Sequence, residues 1–144
     1  MGLGLLQDAS SVDVLLPALD DPAKSVRIAA LHALGMFGSP RATARLTALA
    51  VDPGEDDDVR ADAAEGLAHC RDDAIVGLLL RCLDDPAAPV RYSAAYSLGE
   101  QGSERAVAKL EQLAATDHAA TPWGDVASSA QAALDAINSR DPAD

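Results

Sequence analysis

The sequence predicts an all-α fold, an α-α superhelix of antiparallel helix pairs, and three observations predict it. A short pattern recurs along the chain at intervals of 33, 31 and 36 residues. Apolar residues fall at i, i+3, i+4 and i+7, as in Val26, Ala29, Ala30, Leu34 and Phe37, and no stretch alternates with period two. The composition is 49% hydrophobic but only 3% aromatic, so the apolar content is mostly Ala, Leu and Val, which suits closely packed helices better than sheets. At 144 residues the chain is long enough for one continuous core.

The recurring pattern is Val-Arg, two residues, Ala, three residues, Leu. It reads Val26-Arg27 to Leu34, Val59-Arg60 to Leu67 and Val90-Arg91 to Leu98, with a degenerate copy from Val126 to Leu134 in which Ala127 replaces Arg. Turns with Pro precede the copies, at Asp20-Asp21-Pro22, Asp52-Pro53-Gly54, Asp84-Asp85-Pro86 and Thr121-Pro122, where Pro stops one helix and starts the next. A second break follows each Val-Arg helix, at Gly38-Ser39-Pro40, Arg71-Asp72-Asp73 and Gly102-Ser103-Glu104, with the Gly or Ser/Asp that close and open helices. Helices are therefore expected over 11–19, 24–36, 40–51, 57–70, 73–83, 88–100, 103–115 and 125–138. They form a single domain over 1–138, framed as repeats near 21–52, 53–84 and 85–118, with partial repeats at 1–20 and 119–138 and a flexible tail from 139 to 144. In that frame Leu3-Gly4 closes a repeat that lacks its first helix, and the last helix lacks its second, which leaves apolar faces either for self-association or for the adjoining repeats of a longer protein of which this chain is a segment.

With 11 basic and 23 acidic residues the net charge is −12, which repels phosphate backbones and anionic headgroups, so neither nucleic acid nor membrane is an expected partner. No apolar run reaches the roughly 20 residues that span a bilayer, and the opening MGLGLLQDASS is no signal peptide. A cytoplasmic protein is expected. Cys70 and Cys82 sit inside apolar helical patterns, too far apart along packed helices to bridge, and read as small buried hydrophobes.

The segments DDPAKSVRIAALHALGMFGSPRATARLTALAVD and DDPAAPVRYSAAYSLGEQGSERAVAKLEQLAATD resemble HEAT-like repeats of the phycobilisome-lyase type, and the resemblance runs over residues 3–138. It implies an α-solenoid that presents a surface, in a family that includes chromophore-lyase subunits, a diiron hydroxylase, DNA-base-excising proteins and plain scaffolds. The diiron enzymes use repeated His-Glu pairs. This chain has none, and His32, His69 and His118 fall at three different repeat positions. Base excision calls for a basic, aromatic face that the composition denies. No nucleophile constellation or phosphate loop stands out. The expectation is a chain that is not an enzyme and holds no metal or cofactor.

Arg27, Arg60 and Arg91 would line up as a ladder for anions, or tie neighbouring repeats through the acidic turns, and the second reading is the stronger. Asp56, Asp57 and Asp58 read as an N-terminal helix cap. The resemblance implies that the second helices of the repeats line the concave side. There Leu15, Leu46, Leu79 and Leu110 share a core phase, while Val12 with Leu16, Thr43 with Thr47, Val76 with Leu80, and Val107 form a strip that either faces a partner helix or peptide or widens the core. Arg81 and Arg41 flank it. Trp123, the single Trp, either anchors an interface or packs over a solenoid end, and Tyr92 and Tyr96, one turn apart, carry the same ambiguity. The functional expectation is a non-catalytic protein-interaction scaffold or adaptor presenting a concave helical surface to another protein or peptide. The alternative is a subunit of a chromophore-lyase-type enzyme.

Overall fold

The computed structural model describes residues 11–70 and 72–140. Helix α1 (residues 11–15) runs into a 3-10 turn, Leu16–Asp20. It is followed by α2 (Lys24–Gly35), α3 (Pro40–Ala50), α4 (Asp57–Gly66), α5 (Asp73–Cys82) and α6 (Ala88–Gln101). A 3-10 turn, Glu104–Ala106, leads into α7 (Val107–Thr116), and α8 (Val126–Asn138) closes the described chain. Two expected caps form: the side chains of Ser39 and Asp72 accept from the backbone N–H groups of Ala42 and Ala74, whereas Ser103 makes no side-chain cap bond, and Asp125, not expected as a cap, accepts from the Ser128 N–H. Asp56 occupies the N-cap position of α4 without a side-chain cap bond, and Asp57 instead pairs with Arg60.

Helix α4 ends earlier than the apolar pattern implied, because its last turn tightens into i→i−3 bonds from Leu67 to Ala64 and from Ala68 to Glu65. Between α7 and α8, a stretch expected as plain loop forms a minimal antiparallel hairpin, Ala120–Thr121 with Gly124–Asp125. The Thr121 hydroxyl donates to the Gly124 carbonyl at 2.6 Å and accepts from the Trp123 N–H at 3.2 Å, which closes the turn and holds Trp123 at its tip. Two-residue strands are too short to show a period in the sequence.

The helices stack in two layers. Helices α2, α4, α6 and α8, the Val-Arg set, lie side by side in order, and α1, α3, α5 and α7 form the second layer. Within a layer the packing differs. The Val-Arg helices approach closely because small residues face each other: a Cβ on Gly99 would lie 2.7 Å from the Ala133 Cα, and one on Gly35 3.6 Å from the Gly66 Cα. Helices of the other layer carry Leu and stand further apart. A stack curves toward its more closely spaced layer, so the concave face belongs to the Val-Arg helices. This corrects the expectation that the Leu-rich helices line it.

The repeat frame also shifts. Packing between sequence neighbours is strongest across the Pro-containing turns, which join the Leu16–Asp20 turn to α2, α3 to α4, α5 to α6 and, through the Thr121-Pro122 hairpin, α7 to α8. Helix α8 therefore has its partner, and its solvent side carries Ser128, Gln131, Asp135 and Asn138. Only Ala132 interrupts that polar face. The opening half repeat at Leu3-Gly4 and the tail from 141 to 144 lie outside the described residues.

Side chains sew the concave layer together. The Ser97 hydroxyl donates to the Ala64 carbonyl at 2.7 Å, that of Ser129 to the Tyr92 carbonyl at 2.8 Å, and the Gln101 amide to the Leu67 carbonyl at 2.9 Å. Each of these three side chains thus bonds back to the preceding helix of the layer. The repeated arginines act along one edge. Arg91 donates to the carbonyls of Asp85 and Pro86 in its own turn and forks onto Asp117 in the next, at 2.7 and 3.3 Å. Arg27 holds Asp21 and Pro22 and reaches Glu55; Arg60 holds the Glu55 carbonyl and forks onto Asp85 at 3.0 and 3.2 Å. The ladder is a set of inter-repeat links, as the stronger reading had it, with Glu55 rather than Asp52 as the acid in its turn.

Between the layers lies one core, in which Leu34, Leu67, Leu79, Leu98 and Leu110 are all fully buried. Both cysteines are free. Cys82 is buried, and that burial pushes its thiol up to about 11, so it stays protonated and unreactive. Among the described residues no helix is long and apolar enough to cross a membrane.

Candidate functional site

Large apolar side chains that stay exposed point to surfaces with work outside the fold, and two of the five such residues, Tyr96 and Trp123, lie together. Tyr92 and Tyr96, one turn apart, project from the middle of α6 on the concave layer. The hairpin tip brings Trp123 onto Tyr92, with ring centroids 5.7 Å apart and planes tilted by 41°. Glu65 of α4 closes the other side, and the four residues with Ser93 line a cleft of about 280 Å³. A second hollow of about 250 Å³ continues past Tyr96 along the α6–α8 seam, over Gly99, Glu100 and Ala132.

The cleft is electronegative. Among the described residues neither the Glu65 nor the Glu100 carboxylate has an ion-pair partner, whereas further along the same face Asp62 lies 3.4 Å from His32. Burial, and then Glu100 and Glu65, raise the Tyr96 hydroxyl above its ordinary value. Burial also raises Asp62, against the pull of His32.

The strip expected from the sequence lies on the other layer and is mostly core. Val12 and Val76 are buried. Leu16, Leu80 and Val107 are half-buried and pack on the core, while Thr43 and Thr47 are half-buried and bond within the protein, Thr43 to Cys70 and Thr47 to the Ala44 carbonyl. Arg81 is exposed, and Arg41 is paired with Asp13. Much of this apolar stripe is therefore taken up by the shared core. Trp123 alone of the expected residues enters the cleft. Tyr92 and Tyr96 were visible as a pair, but Glu65 was missed. The signal was there: Glu65 follows Val59 by six residues, as Tyr96 follows Val90 and His32 follows Val26, so stacking the repeats brings these three onto one face.

The histidines do not gather. His32 faces Asp62, His118 lies 3.8 Å from Asp125, and His69 is exposed beyond α4.

Two solved structures share this fold over most of the chain. One is a chain in the structure of the complex of CpcE and CpcF of phycocyanin lyase from Nostoc sp. PCC7120, with 25% identity and a TM-score of 0.72 over 88% of this chain and 53% of that one. The other is human deoxyhypusine hydroxylase in complex with glycerol, with 25% identity and a TM-score of 0.70 over 96% of this chain and 47% of that one. The chain thus spans about half the length of each. Both belong to enzymes, which overturns the expectation that this chain is not one: absence of a recognisable catalytic motif in the sequence does not exclude a part in catalysis when the fold is shared with a lyase and a hydroxylase. No curated protein sequence matches the chain. The family profile for HEAT repeats matches residues 1–57 and 53–135, nearly the whole described solenoid, and the chain belongs to the HEAT-repeat family.

Proposed function

We propose that this chain binds another protein through its concave face, with the Tyr92, Tyr96 and Trp123 cluster as the anchor. One observation carries the reading: two large aromatic side chains, 41% and 54% exposed, meet in a cleft of the curved face. Aromatic anchors in a small pocket contribute most of the binding energy at protein interfaces, and their exposure in the free chain has no stabilising role of its own. In the lyase structure to which the chain is similar, a HEAT-type protein stands in a two-protein complex, which supports the same use of the fold here.

A second reading has the same face serving a lyase-type enzyme as one of its subunits, favoured by the likeness to the CpcE–CpcF complex. The test is affinity capture from an extract of the source cells, comparing the intact chain with a Tyr96→Ser, Trp123→Ser double variant of unchanged circular dichroism. A specific protein retained by the first and lost from the second is the expected result. Equal capture by both moves the site away from the cleft. A bilin-dependent absorbance change on mixing with the captured partner would select the enzyme-subunit reading.

A further inference from the structure

We infer that the cleft receives a cationic side chain, arginine or lysine, from a basic segment of the partner, held between Tyr96 and Trp123 with Glu65 and Glu100 as counter-charges. The inference rests on the protein-binding reading and names the chemistry of the partner.

Three features point to this occupant. Aromatic faces attract cations through the ring quadrupole, and the exposed rings of Tyr96 and Trp123 border the cleft together with Tyr92, on which Trp123 packs. No basic residue lines either hollow, while each has a carboxylate on its wall, Glu65 in one and Glu100 in the other. Among the described residues neither carboxylate forms an ion pair, the Arg140 guanidinium bonding the main-chain carbonyl of Glu100 and not its side chain, unlike Glu55, Asp85 and Asp117, which the arginine links occupy. The acidic wall and the net charge of −12 disfavour an acidic or phosphorylated partner and raise the rate of encounter with a basic one. Size agrees: about 280 Å³ is just under the roughly 300–1,000 Å³ of sites for drug-sized ligands, and suits a single long side chain. Past Tyr96 the second hollow leaves room for a neighbouring residue of an extended segment.

Trp123 is the single Trp, so its fluorescence reports on the cleft directly. The probes are short synthetic peptides of alternating glycine and arginine, glycine and glutamine, and glycine and glutamate, titrated at low salt. The expected result is a saturable change in Trp123 emission with the arginine peptide and none with the other two. Tyr96→Ala and Glu65→Gln should each weaken binding about 5-fold, within the range of one cation–π or charge contact. Glu111→Gln, on an exposed site of α7, should leave binding unchanged. An equal loss in Glu111→Gln would mean diffuse charge attraction and overturn the proposal, as would an equal response to the glutamine peptide. A partner cross-linked through position 96 by a segment lacking Lys and Arg would also overturn it while leaving protein binding intact.

Discussion

The two layers of this solenoid are held by different means. On the concave layer, helices touch backbone to backbone through Gly35, Gly66, Gly99 and Ala133, and serine and glutamine side chains bond from one helix to the next. On the outer layer, helices meet mainly through leucines pointing into the shared core. The geometry of the stack is therefore set on the inside, where little can change. The outside only has to fill volume.

Four substitutions separate those roles. The largest effect is expected at Gly99→Leu, where even a Cβ would collide with the Ala133 backbone: stability should fall by about 3 kcal/mol or more in urea denaturation. A change under about 1 kcal/mol would mean that the close approach is not structural. Next is Arg60→Met. Its guanidinium is 7% exposed and its partner Asp85 13%, so removing it strands a shielded carboxylate, and a loss of about 2 kcal/mol is expected after discounting for residual solvent access.

Acid comes third. Hydrogen bonding from Arg91, opposed by partial burial, holds Asp117 below the ordinary carboxylate value. The unfolded chain therefore takes up this proton at a higher pH than the folded one. The contribution is complete above the ordinary Asp value of about 3.9 and is lost as pH falls through the folded value. The stability gap between the wild type and Asp117→Asn should thus close in acid, and a gap that stays constant down to pH ~2 would break the assignment. Smallest is Gly77→Ala on the outer α5, whose new methyl would meet only the Arg105 guanidinium at 3.9 Å. It should raise stability by about 0.5 to 1 kcal/mol, opposite in sign to the change at Gly99.

The helices were legible because the Val-Arg, Ala, Leu pattern repeats four times and each copy is flanked by turn residues. Which helices pair was not. Asp-Pro and Gly-Ser-Pro both read as breaks, and only packing shows that the tight hairpins form at the first kind. Burial along the expected strip was equally hard to read. Val12 and Val76 have the spacing of an exposed apolar stripe, yet neighbours cover both because an outer helix contacts the facing layer over a wide arc. Trp123 and Tyr96 are 27 residues apart in sequence, and only the hairpin, itself invisible to periodicity, brings the Trp back over α6.

Since every arginine link joins one turn to its successor and nothing more distant, the solenoid is modular in length. Duplicating the unit that carries Arg60 would supply both halves of each new link, so an extra unit could be spliced in without redesigning its neighbours. A unit grafted beyond α8 would meet Ala127 in place of the arginine and join without that tether. The grammar of the repeat thus permits growth in the middle more readily than at this edge.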